Sequence, residues 1–369
     1  MRVGWLRLFF GVGLVVSGCG KSDQAHAAPA AAPVSAAPRP APAPAAARPS
    51  PPPTTVASPP PLPSPSPSPS PVAEPSPVDE PIPVEPPPLL YRGQPVDQLV
   101  RDMAQKPVVA MKKRFARKEP VYWLELEGGL QVAFKPQTDE RPGLWRNDVV
   151  GWELARLLGL TARTPPAVGR YVPLAMLKGP LEVIYVGKDN PPGMVWGSTI
   201  FWMPVLEKPK ISLTGPAGKD AWTRWLDVRR RVPAEYDALA QDVAALVLFD
   251  YLTTNGDRFE NSENTRVDEE GRLIFRDNNE GFNANVMADL QSNAALLKRV
   301  HRFPRFLYEA LRVADDRALD AAIKPWADAG RPLFDRERLR YYDQRRLFAL
   351  AYIDALIERH GEAAILAWP

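Results

Sequence analysis

An Ala-, Pro- and Ser-rich stretch over residues 20–89 confines the folded part of this 369-residue chain to residues 90–369. More than half of the 44 prolines precede residue 90, and proline alternates with serine from Pro63 to Pro69. Because aromatic rings are absent there and aliphatic side chains are few, the stretch buries too little apolar surface to offset its ordering entropy. We expect a disordered linker, rich in polyproline II, that reaches at most about 200 Å at about 3.1 Å per residue.

A short apolar segment precedes the linker. Arg2 and Arg7 are followed by the run Leu8–Val16, which leads through small residues to Cys19, the one cysteine of the chain. This pattern indicates a lipoprotein signal peptide over residues 1–19, and the run is too short for an ordinary membrane span. We predict an exported lipoprotein of the bacterial cell envelope, anchored on the periplasmic or surface side through lipidated Cys19. The alternative is a chance cysteine after a cleaved signal.

Residues 90–369 hold nearly all the aromatic side chains and suffice for one large two-lobed domain or two closely packed ones. A formal net charge of +3, with basic and acidic residues evenly mixed, argues against a nucleic-acid partner. The histidines, His26, His301 and His360, are scattered, which argues against a histidine metal site or a Ser-His-Asp hydrolase. Neither a G-x-x-x-x-G-K-[ST] loop nor a G-x-G-x-x-G fingerprint occurs.

Two acidic loops flank a short predicted strand between residues 248 and 282. The first carries Asp257, Asn261 and Asn264, and the second begins at Asp277. Phosphoryl transfer requires one carboxylate that orients the attacking hydroxyl and another, often helped by an amide, that holds a metal ion against the phosphates. We assign the first role to Asp257 and the second to Asp277, with Asn261 or Asn264 assisting. The alternative is that both loops are ordinary solvated turns.

Apolar and polar side chains alternate over residues 122–136 on both sides of Gly128 and Gly129, which predicts a β-hairpin. Lys135 falls at the end of its second strand, where a lysine can bind nucleotide phosphates as a point charge. The alternative is an ordinary surface lysine. Apolar residues at helical spacing then predict a helix over Asn147–Leu158.

A later segment, residues 197–204, reads as a strand with a break after it. Its side chains Phe201, Trp202 and Met203 suit a flat apolar slot for a purine, although core packing accounts for the first two almost as well. Beyond residue 221 the pattern is mainly helical, with breaks expected at Val232-Pro233 and at Pro304.

The segments TNGDRF and IFRDNNEGF resemble the catalytic segment of the atypical secretory-pathway kinases, the four-jointed and Golgi casein kinase family. They are more distantly similar to HipA-type and phosphoinositide-type kinases. The resemblance implies that Lys135 binds the nucleotide, that Asp148 is its acidic partner, and that Trp202 and Met203 lie beside the adenine. The family normally has Glu in place of Asp148, so Glu153 remains an alternative partner. A helix N-cap is the other role open to Asp148.

The same resemblance implies an α+β, two-lobed atypical protein-kinase-like fold, with a small β-rich N-lobe at about 90–204 and a mainly helical C-lobe at about 205–369. It implies transfer of the γ-phosphoryl group of ATP, or another nucleoside triphosphate, with Mg²⁺ or Mn²⁺, to a hydroxyl of a protein or glycan. Expected partners are the nucleotide, that acceptor and a membrane through Cys19, without nucleic acid. Two departures from the family are Phe259, where many relatives have His, and the lack of disulfides. A pseudokinase or ligand-binding surface lipoprotein, and a structural lipoprotein with a long stalk, stay open as alternatives.

Overall fold

The computed structural model of the chain describes residues 89–115, 120–138, 143–179, 184, 190–203, 205–282, 287–327 and 332–369. The predicted signal peptide with Cys19, and the predicted linker up to residue 88, lie outside these residues. Within the described ranges, no helix combines the length and the apolar character needed to cross a membrane.

The first half of the folded part is built on a sheet. Two short paired strands, β1 (Leu90–Tyr91) and β2 (Gln94–Pro95), are followed by helix α1 (Val96–Gln105). A five-stranded antiparallel sheet comes next, composed of β3 (Val108–Phe115), β4 (Val121–Leu126), β5 (Gln131–Pro136), β6 (Ala167–Pro173) and β7 (Met194–Phe201), with helix α2 (Leu144–Leu157) between β5 and β6 in the chain. The strands are ordered β3, β4, β5, β7, β6 across the sheet.

The predicted β-hairpin is confirmed as the pair β4 and β5, with Tyr122 opposite Phe134. Gly128 and Gly129 both have positive φ angles, +84° and +83°, which glycine adopts without steric cost. Side chains on β4 and β5 alternate between fully and partly buried positions, so one face of the hairpin enters the core. Lys135 lies on the other, less buried face.

The second half is mainly helical, as predicted. Its helices are α3 (Gly215–Leu226), α4 (Asp237–Thr253), α5 (Met287–Leu297), α6 (Arg305–Val313), α7 (Asp316–Ile323), α8 (Arg336–His360) and α9 (Glu362–Ile365). An antiparallel strand pair, β8 (Arg266–Val267) and β9 (Leu273–Ile274), lies between α4 and α5 in the chain. Single 3-10 turns occur at Thr161–Arg163, Leu174–Met176, Ala234–Tyr236, Ser262–Asn264 and Lys324–Trp326. The fold is therefore α+β, with the β-rich part first.

Prolines set the helix boundaries in this half. Pro233 immediately precedes the 3-10 turn that leads into α4, and Pro304 is the N-cap of α6. Proline suits these positions because the first turn of a helix leaves its N–H groups without intrahelical partners. Both predicted breaks are confirmed, although each separates two helices completely rather than bending one.

Helix α2 begins earlier than the sequence pattern predicted, at Leu144, with Gly143 as its N-cap. Asp148 therefore lies inside the helix, and its predicted alternative role as an N-cap is wrong. Every residue from Asn147 to Ala155 is buried. A helix enclosed on all sides is a core element rather than a surface one.

Two apolar clusters form the interior. The smaller contains the buried face of the sheet with α1, and the larger contains the buried faces of the C-terminal helices. Helix α2 contributes to both, because Trp152 belongs to the smaller cluster while Val149 and Leu154 belong to the larger. Trp326 packs against both clusters. The sheet and the helical half are thus joined through α2 and Trp326.

Candidate active site

A pocket lies where the ends of β5 and β7 meet the segment after β9. Lys135, Arg276 and Asp277 are its charged members, and Trp202 and Met203 both line it. The remaining lining is largely apolar: Phe115, Val121, Ala133, Pro165, Ile200, Phe201 and Leu206. Apolar walls with a few convergent polar groups are typical of small-molecule sites. The structure thus brings the predicted purine-binding and phosphate-binding residues to one pocket.

Aromatic stacking fixes the apolar wall of the pocket. The ring of Trp202 lies nearly parallel to that of Trp123, with centroids 4.8 Å apart, and to that of Phe115, with centroids 5.8 Å apart. Tyr91 donates its hydroxyl to the sulfur of Met203 at 3.4 Å. Offset aromatic pairs of this kind contribute about 0.5–1.5 kcal/mol beyond burial. Trp202 is therefore held in position before any ligand binds.

Lys135 is the centre of the polar end of the pocket. Its Nζ lies 2.6 Å from Oδ1 of Asp277 and 3.1 Å from Oδ2 of Asp148. It also donates to Oδ1 of Asn279 at 3.2 Å. Strand β5, helix α2 and the segment after β9 therefore converge on one ammonium group, although Asp277 is 142 residues from Lys135 in the chain.

Asp148, and not Glu153, is the acidic partner of the lysine. Glu153 instead accepts from Nε1 of Trp326 at 2.8 Å and from Nη1 of Arg156 at 3.2 Å. Asp148 also accepts from the backbone N–H of Asn278 at 3.1 Å. The alternative assignment of the acidic position to Glu153 is therefore wrong for this chain.

A glycine lets the short Asp148 side chain reach its partners. A Cβ atom at Gly151, one helical turn later, would lie 3.0 Å from Cβ of Asn278. Such a distance is shorter than ordinary van der Waals contact, so a larger residue would push α2 away from the segment after β9. Gly151 thus permits the close approach that a carboxylate one methylene shorter than Glu requires.

The charged groups of Lys135, Asp148 and Asp277 shift one another's pKa values. Burial raises the pKa of Asp148 to about 6, although Lys135 opposes the shift. Lys135 instead holds the pKa of Asp277 at about 2. Burial alone would lower the pKa of Lys135, but the two carboxylates outweigh it and raise that pKa above its ordinary value. At neutral pH, both carboxylates and the ammonium are therefore charged.

The loop after α4 holds the predicted catalytic Asp257. Its Oδ2 accepts from Nδ2 of Asn264 at 2.5 Å, and its backbone N–H donates to Oδ1 of Asn255 at 3.3 Å. Asn255 in turn donates to the backbone carbonyl of Asp277 at 3.3 Å. The two predicted acidic loops are thus linked by hydrogen bonds. Asn261 is engaged elsewhere, because its side chain caps the following 3-10 turn through the N–H of Glu263.

Comparison with known proteins gives a consistent picture of the fold. No family model matches the sequence. The mouse pseudokinase FAM20A is 24% identical over 262 residues, which cover 60% of this chain and 48% of the relative. The chain therefore spans about half the length of the curated relative it matches.

The solved structures with a similar fold also include a Fam20 protein. The structure of hydra Fam20 with sugar superposes with a TM-score of 0.54 at 18% identity, covering 73% of this chain and 91% of that one. The chain has the Fam20-type atypical kinase fold. The Golgi casein kinase superposes with a TM-score of 0.54 at 15% identity, and with 0.52 when Mn and ADP are bound, each covering 73% of this chain and 78% of that one. The two-lobed α+β fold and the family resemblance predicted from the sequence are thereby confirmed, while identities this low establish the fold alone.

Within this Fam20-type fold, sequence reasoning assigned no role to Arg258. Its guanidinium is fully buried and pairs with both carboxylate oxygens of Asp250 on α4, each at 3.0 Å. It also donates to the backbone carbonyl of Arg276 and, at 2.6 Å, to Oδ1 of Asn278. Burial raises the pKa of Asp250 to about 6, against the pull of Arg258. Arg258 therefore ties the Asp257 loop to the Asp277 segment.

Sequence reasoning also assigned no role to Arg276. Arg276 lines the pocket, and its positive charge adds to that of Lys135 in lowering the pKa of Asp277. The arginine directly precedes Asp277 in the chain, and that adjacency was the available sequence signal.

The oxygen atoms of this site suit a divalent cation. Asp277 contacts Lys135 through Oδ1, and Asn264 contacts Asp257 through Nδ2, so each side chain has a further oxygen beyond the atom used in that contact. Carboxylate and amide oxygens are the ligands that Mg²⁺ and Mn²⁺ prefer. In the described part of the chain, no group of three or more His, Cys, Asp or Glu side chains forms a ready-made metal site. A cation here would need additional oxygens from a phosphate, as in kinase sites.

Proposed function

We propose that this chain is an exported, membrane-tethered atypical kinase that transfers the γ-phosphoryl group of a nucleoside triphosphate to a hydroxyl of a protein or glycan. The observation that carries the proposal is the convergence of Lys135, Asp148 and Asp277 at the polar end of an apolar pocket. The Fam20-type fold supports it, because the solved neighbours include a kinase by name.

Each residue has a defined role in this proposal. Lys135 binds phosphate oxygens, and Asp148 keeps its ammonium charged and in place. Asp257 orients the acceptor hydroxyl and takes up its proton, while Asn264 holds the carboxylate in position. Trp202 and Met203 form the wall against which the base packs.

A divalent cation belongs to the proposal. When bound, it would neutralise charge that develops on the phosphates. Asp277 would hold it, with Asn264 better placed to assist than Asn261, whose side-chain oxygen already accepts from the N–H of Glu263. A solved neighbour, the Golgi casein kinase, has Mn and ADP bound. We therefore propose Mn²⁺ or Mg²⁺ with ATP, without assigning a preference between the two cations.

An active kinase is favoured over a pseudokinase because the charged set is complete. Lys135, Asp148, Asp257 and Asp277 are all present, and the first two pair directly at 3.1 Å. Nucleotide binding alone would not require Asp257, because this carboxylate is not among the groups that contact Lys135. The matched relative FAM20A is named a pseudokinase, so the experiment must separate binding from transfer.

The tether is part of the same proposal. Cys19 would carry the lipid anchor, and the Pro-rich linker over residues 20–89 would let the kinase domain act up to about 200 Å from its membrane. Acceptors on the same envelope surface would then be available at high effective concentration.

Thermal unfolding of the full chain tests nucleotide binding. Wild type and Asp277→Asn would be heated with ATP or ADP, in the presence of Mn²⁺, Mg²⁺ or EDTA. A nucleotide at 100 times its Kd stabilises the folded state by about 2.7 kcal/mol, which raises Tm by roughly 5 °C for a domain of this size. We expect a metal-dependent rise that Asp277→Asn loses and that the exposed C-lobe variant Asp354→Asn retains.

Transfer is tested separately in Asp257→Asn. This variant should show the same nucleotide-dependent rise in Tm while its rate of ATP turnover with Mn²⁺ falls by roughly 10²–10⁴-fold, the usual contribution of general base catalysis. Absence of any rise in Tm with every nucleotide and metal would refute the proposed site. A rise in wild type without turnover would instead identify a pseudokinase.

A further inference from the structure

Helix α2 is built into the helical half of the molecule, although its Asp148 serves a lysine of the sheet. Val149, Val150 and Leu154 lie in the larger apolar cluster together with residues of α4 and α8. The helix also packs against α7. Because apolar surface of α2 is buried against the C-terminal helices, moving α2 away from them would expose that surface to water.

Besides the contacts that Asp148 and Asn147 make on the site side, a buried polar contact of Glu153 restrains the rotation of α2. Nε1 of Trp326 donates to Oε1 of Glu153 at 2.8 Å, and the other oxygen of Glu153 accepts from Arg156. Glu153 is almost fully buried, and burial raises its pKa. Rotation of the helix would leave Oε1 of the buried Glu153 without the donor from Trp326, which is unfavourable, so the contact resists rotation.

The position of Glu153 on the helix explains how this contact affects the site. At about 100° per residue, Glu153 points about 140° away from Asp148 around the helix axis. Trp326 therefore holds α2 from one side while Lys135 and Asn278 contact it through Asp148 on another. Trp326 packs against both apolar clusters, so its own position depends on the sheet and on the helices together.

From these contacts we infer that Trp326 and Glu153 form an inter-lobe latch, a pair of positioning residues that holds Asp148 against Lys135. The inference rests on the proposed kinase function for its catalytic consequence, but the mechanical part stands on the contacts alone. It implies that the isolated chain already has its lysine and acidic helix paired, without an activating partner or modification to bring α2 inward.

The test compares two indole-to-carboxylate hydrogen bonds of the same kind. Trp326→Phe removes the N–H donor to Glu153 and keeps most of the ring. Trp368→Phe is the matched control, because Nε1 of Trp368 donates to Oδ1 of Asp237 at 3.1 Å near the C-terminus of the chain. Both variants of the full chain would be examined by backbone hydrogen exchange and by nucleotide binding and turnover.

We expect amides of α2 to exchange on the order of tenfold faster in Trp326→Phe than in Trp368→Phe, as loss of a hydrogen bond to a charged group predicts. With ATP and Mn²⁺, Trp326→Phe should raise KM for ATP and lower kcat severalfold, because Asp148 no longer holds Lys135 in place. Trp368→Phe should change neither constant beyond its effect on overall stability.

Glu153 provides a second, independent comparison if Trp326→Phe fails to fold. Gln and Met have nearly the same size as Glu, but only Gln keeps an oxygen that accepts from Trp326. We expect Glu153→Gln to retain slow exchange in α2 and wild-type kinetic constants, and Glu153→Met to lose both.

The outcomes separate the latch from the kinase proposal. Equal exchange of α2 in Trp326→Phe and Trp368→Phe, or in the Gln and Met variants of Glu153, overturns the latch whether or not nucleotide binds. Faster exchange in Trp326→Phe, in a chain whose wild type binds no nucleotide, supports the latch and overturns the kinase function.

Discussion

Two buried ion pairs lie close to the pocket, and they differ mainly in their access to solvent. Lys135 and Asp148 are 3.1 Å apart, with side chains 12% and 3% exposed. Arg258 and Asp250 are 3.0 Å apart, with side chains 0% and 1% exposed. The first pair, Lys135 and Asp148, is called the open pair because its lysine is accessible to a ligand. The second pair, Arg258 and Asp250, is called the sealed pair because no ligand can reach it. It therefore contributes to the shape of the loops that carry Asp257 and Asp277.

The residue types suit this division. Arg258 presents a planar guanidinium with several donors, and it satisfies Asp250, a backbone carbonyl and Asn278 together. Lys135 presents a compact ammonium on a flexible stem, which can exchange one oxygen partner for another when a phosphate arrives. The comparison predicts that removing the arginine mainly lowers stability and that removing the lysine mainly lowers affinity.

The largest expected effect is that of Arg258→Met on stability. The variant leaves the Asp250 carboxylate buried without its partner, which typically costs about 3–5 kcal/mol. Urea unfolding followed by tryptophan fluorescence measures the change. The double variant Arg258→Met with Asp250→Leu, which removes both charges, should recover a large part of the loss. A loss below about 1 kcal/mol in the single variant would contradict the structural role of the sealed pair.

Lys135→Met should have a smaller effect on stability and a large effect on binding. Lys135 opposes the raised pKa of Asp148, so its removal lets that carboxyl group take up a proton. Asp148 also keeps the backbone N–H of Asn278 as a hydrogen-bond donor, so it is less isolated than Asp250 would be without Arg258. We expect about 100-fold weaker ATP binding by calorimetry, since charged hydrogen bonds to phosphate are lost.

The pH dependence of Lys135→Met provides a further check on that reasoning. A carboxyl group with a raised folded-state pKa contributes stability that is present below its unfolded pKa and is lost as pH rises through the folded one. Relative to wild type, the variant should therefore lose stability progressively as pH rises above about 4, the ordinary pKa of an Asp carboxyl group. A loss of stability in Lys135→Met as large as that in Arg258→Met, with both measured at neutral pH, would show that the two pairs do not differ in the way proposed.

Gly151→Ala is the mildest expected perturbation of the open pair. Alanine gains about 1 kcal/mol in helix propensity, and its Cβ would crowd Asn278 at a typical cost of 1–3 kcal/mol, so stability should change little. Displacement of α2 should still weaken ATP binding by roughly 3–10-fold, because Asp148 moves relative to Lys135. Gly143→Ala, where nothing lies within 4 Å of the added atom, is the control. Unchanged ATP affinity in Gly151→Ala would show that the close approach is not needed.

Local patterns predicted the elements that carry the site. Alternation around paired glycines identified the hairpin that ends at Lys135, and turn residues on both sides of a short strand identified the loops of Asp257 and Asp277. These features depend on neighbours in the chain, so they are visible in sequence. The helix over Asn147–Leu158 was also predicted, but its start was placed late because Asn147 and Asp148 are residue types typical of an N-terminal turn, whereas the helix begins at Leu144 after Gly143.

Contacts between side chains that are distant in the chain could not be predicted from these local patterns. Glu153 and Asp148 were both acceptable partners for Lys135, and only the packing of Trp326 against α2 assigns Glu153 elsewhere. Asp250 appeared as one polar residue in an apolar helix, and its pairing with Arg258 depends on how the following loop folds back. Asn261 and Asn264 were likewise equivalent in the sequence, and they are distinguished only by the 3-10 turn Ser262–Asn264, which Asn261 caps.

The backbone of Asp277 determines which substitutions report cleanly on this site. Its φ angle is +61°, in the left-handed region, where asparagine is the least strained replacement apart from glycine. Alanine there would combine the loss of a carboxylate with a backbone penalty of about 1 kcal/mol or more. Systematic alanine scanning would therefore overstate the electrostatic role of this residue, whereas asparagine isolates its charge.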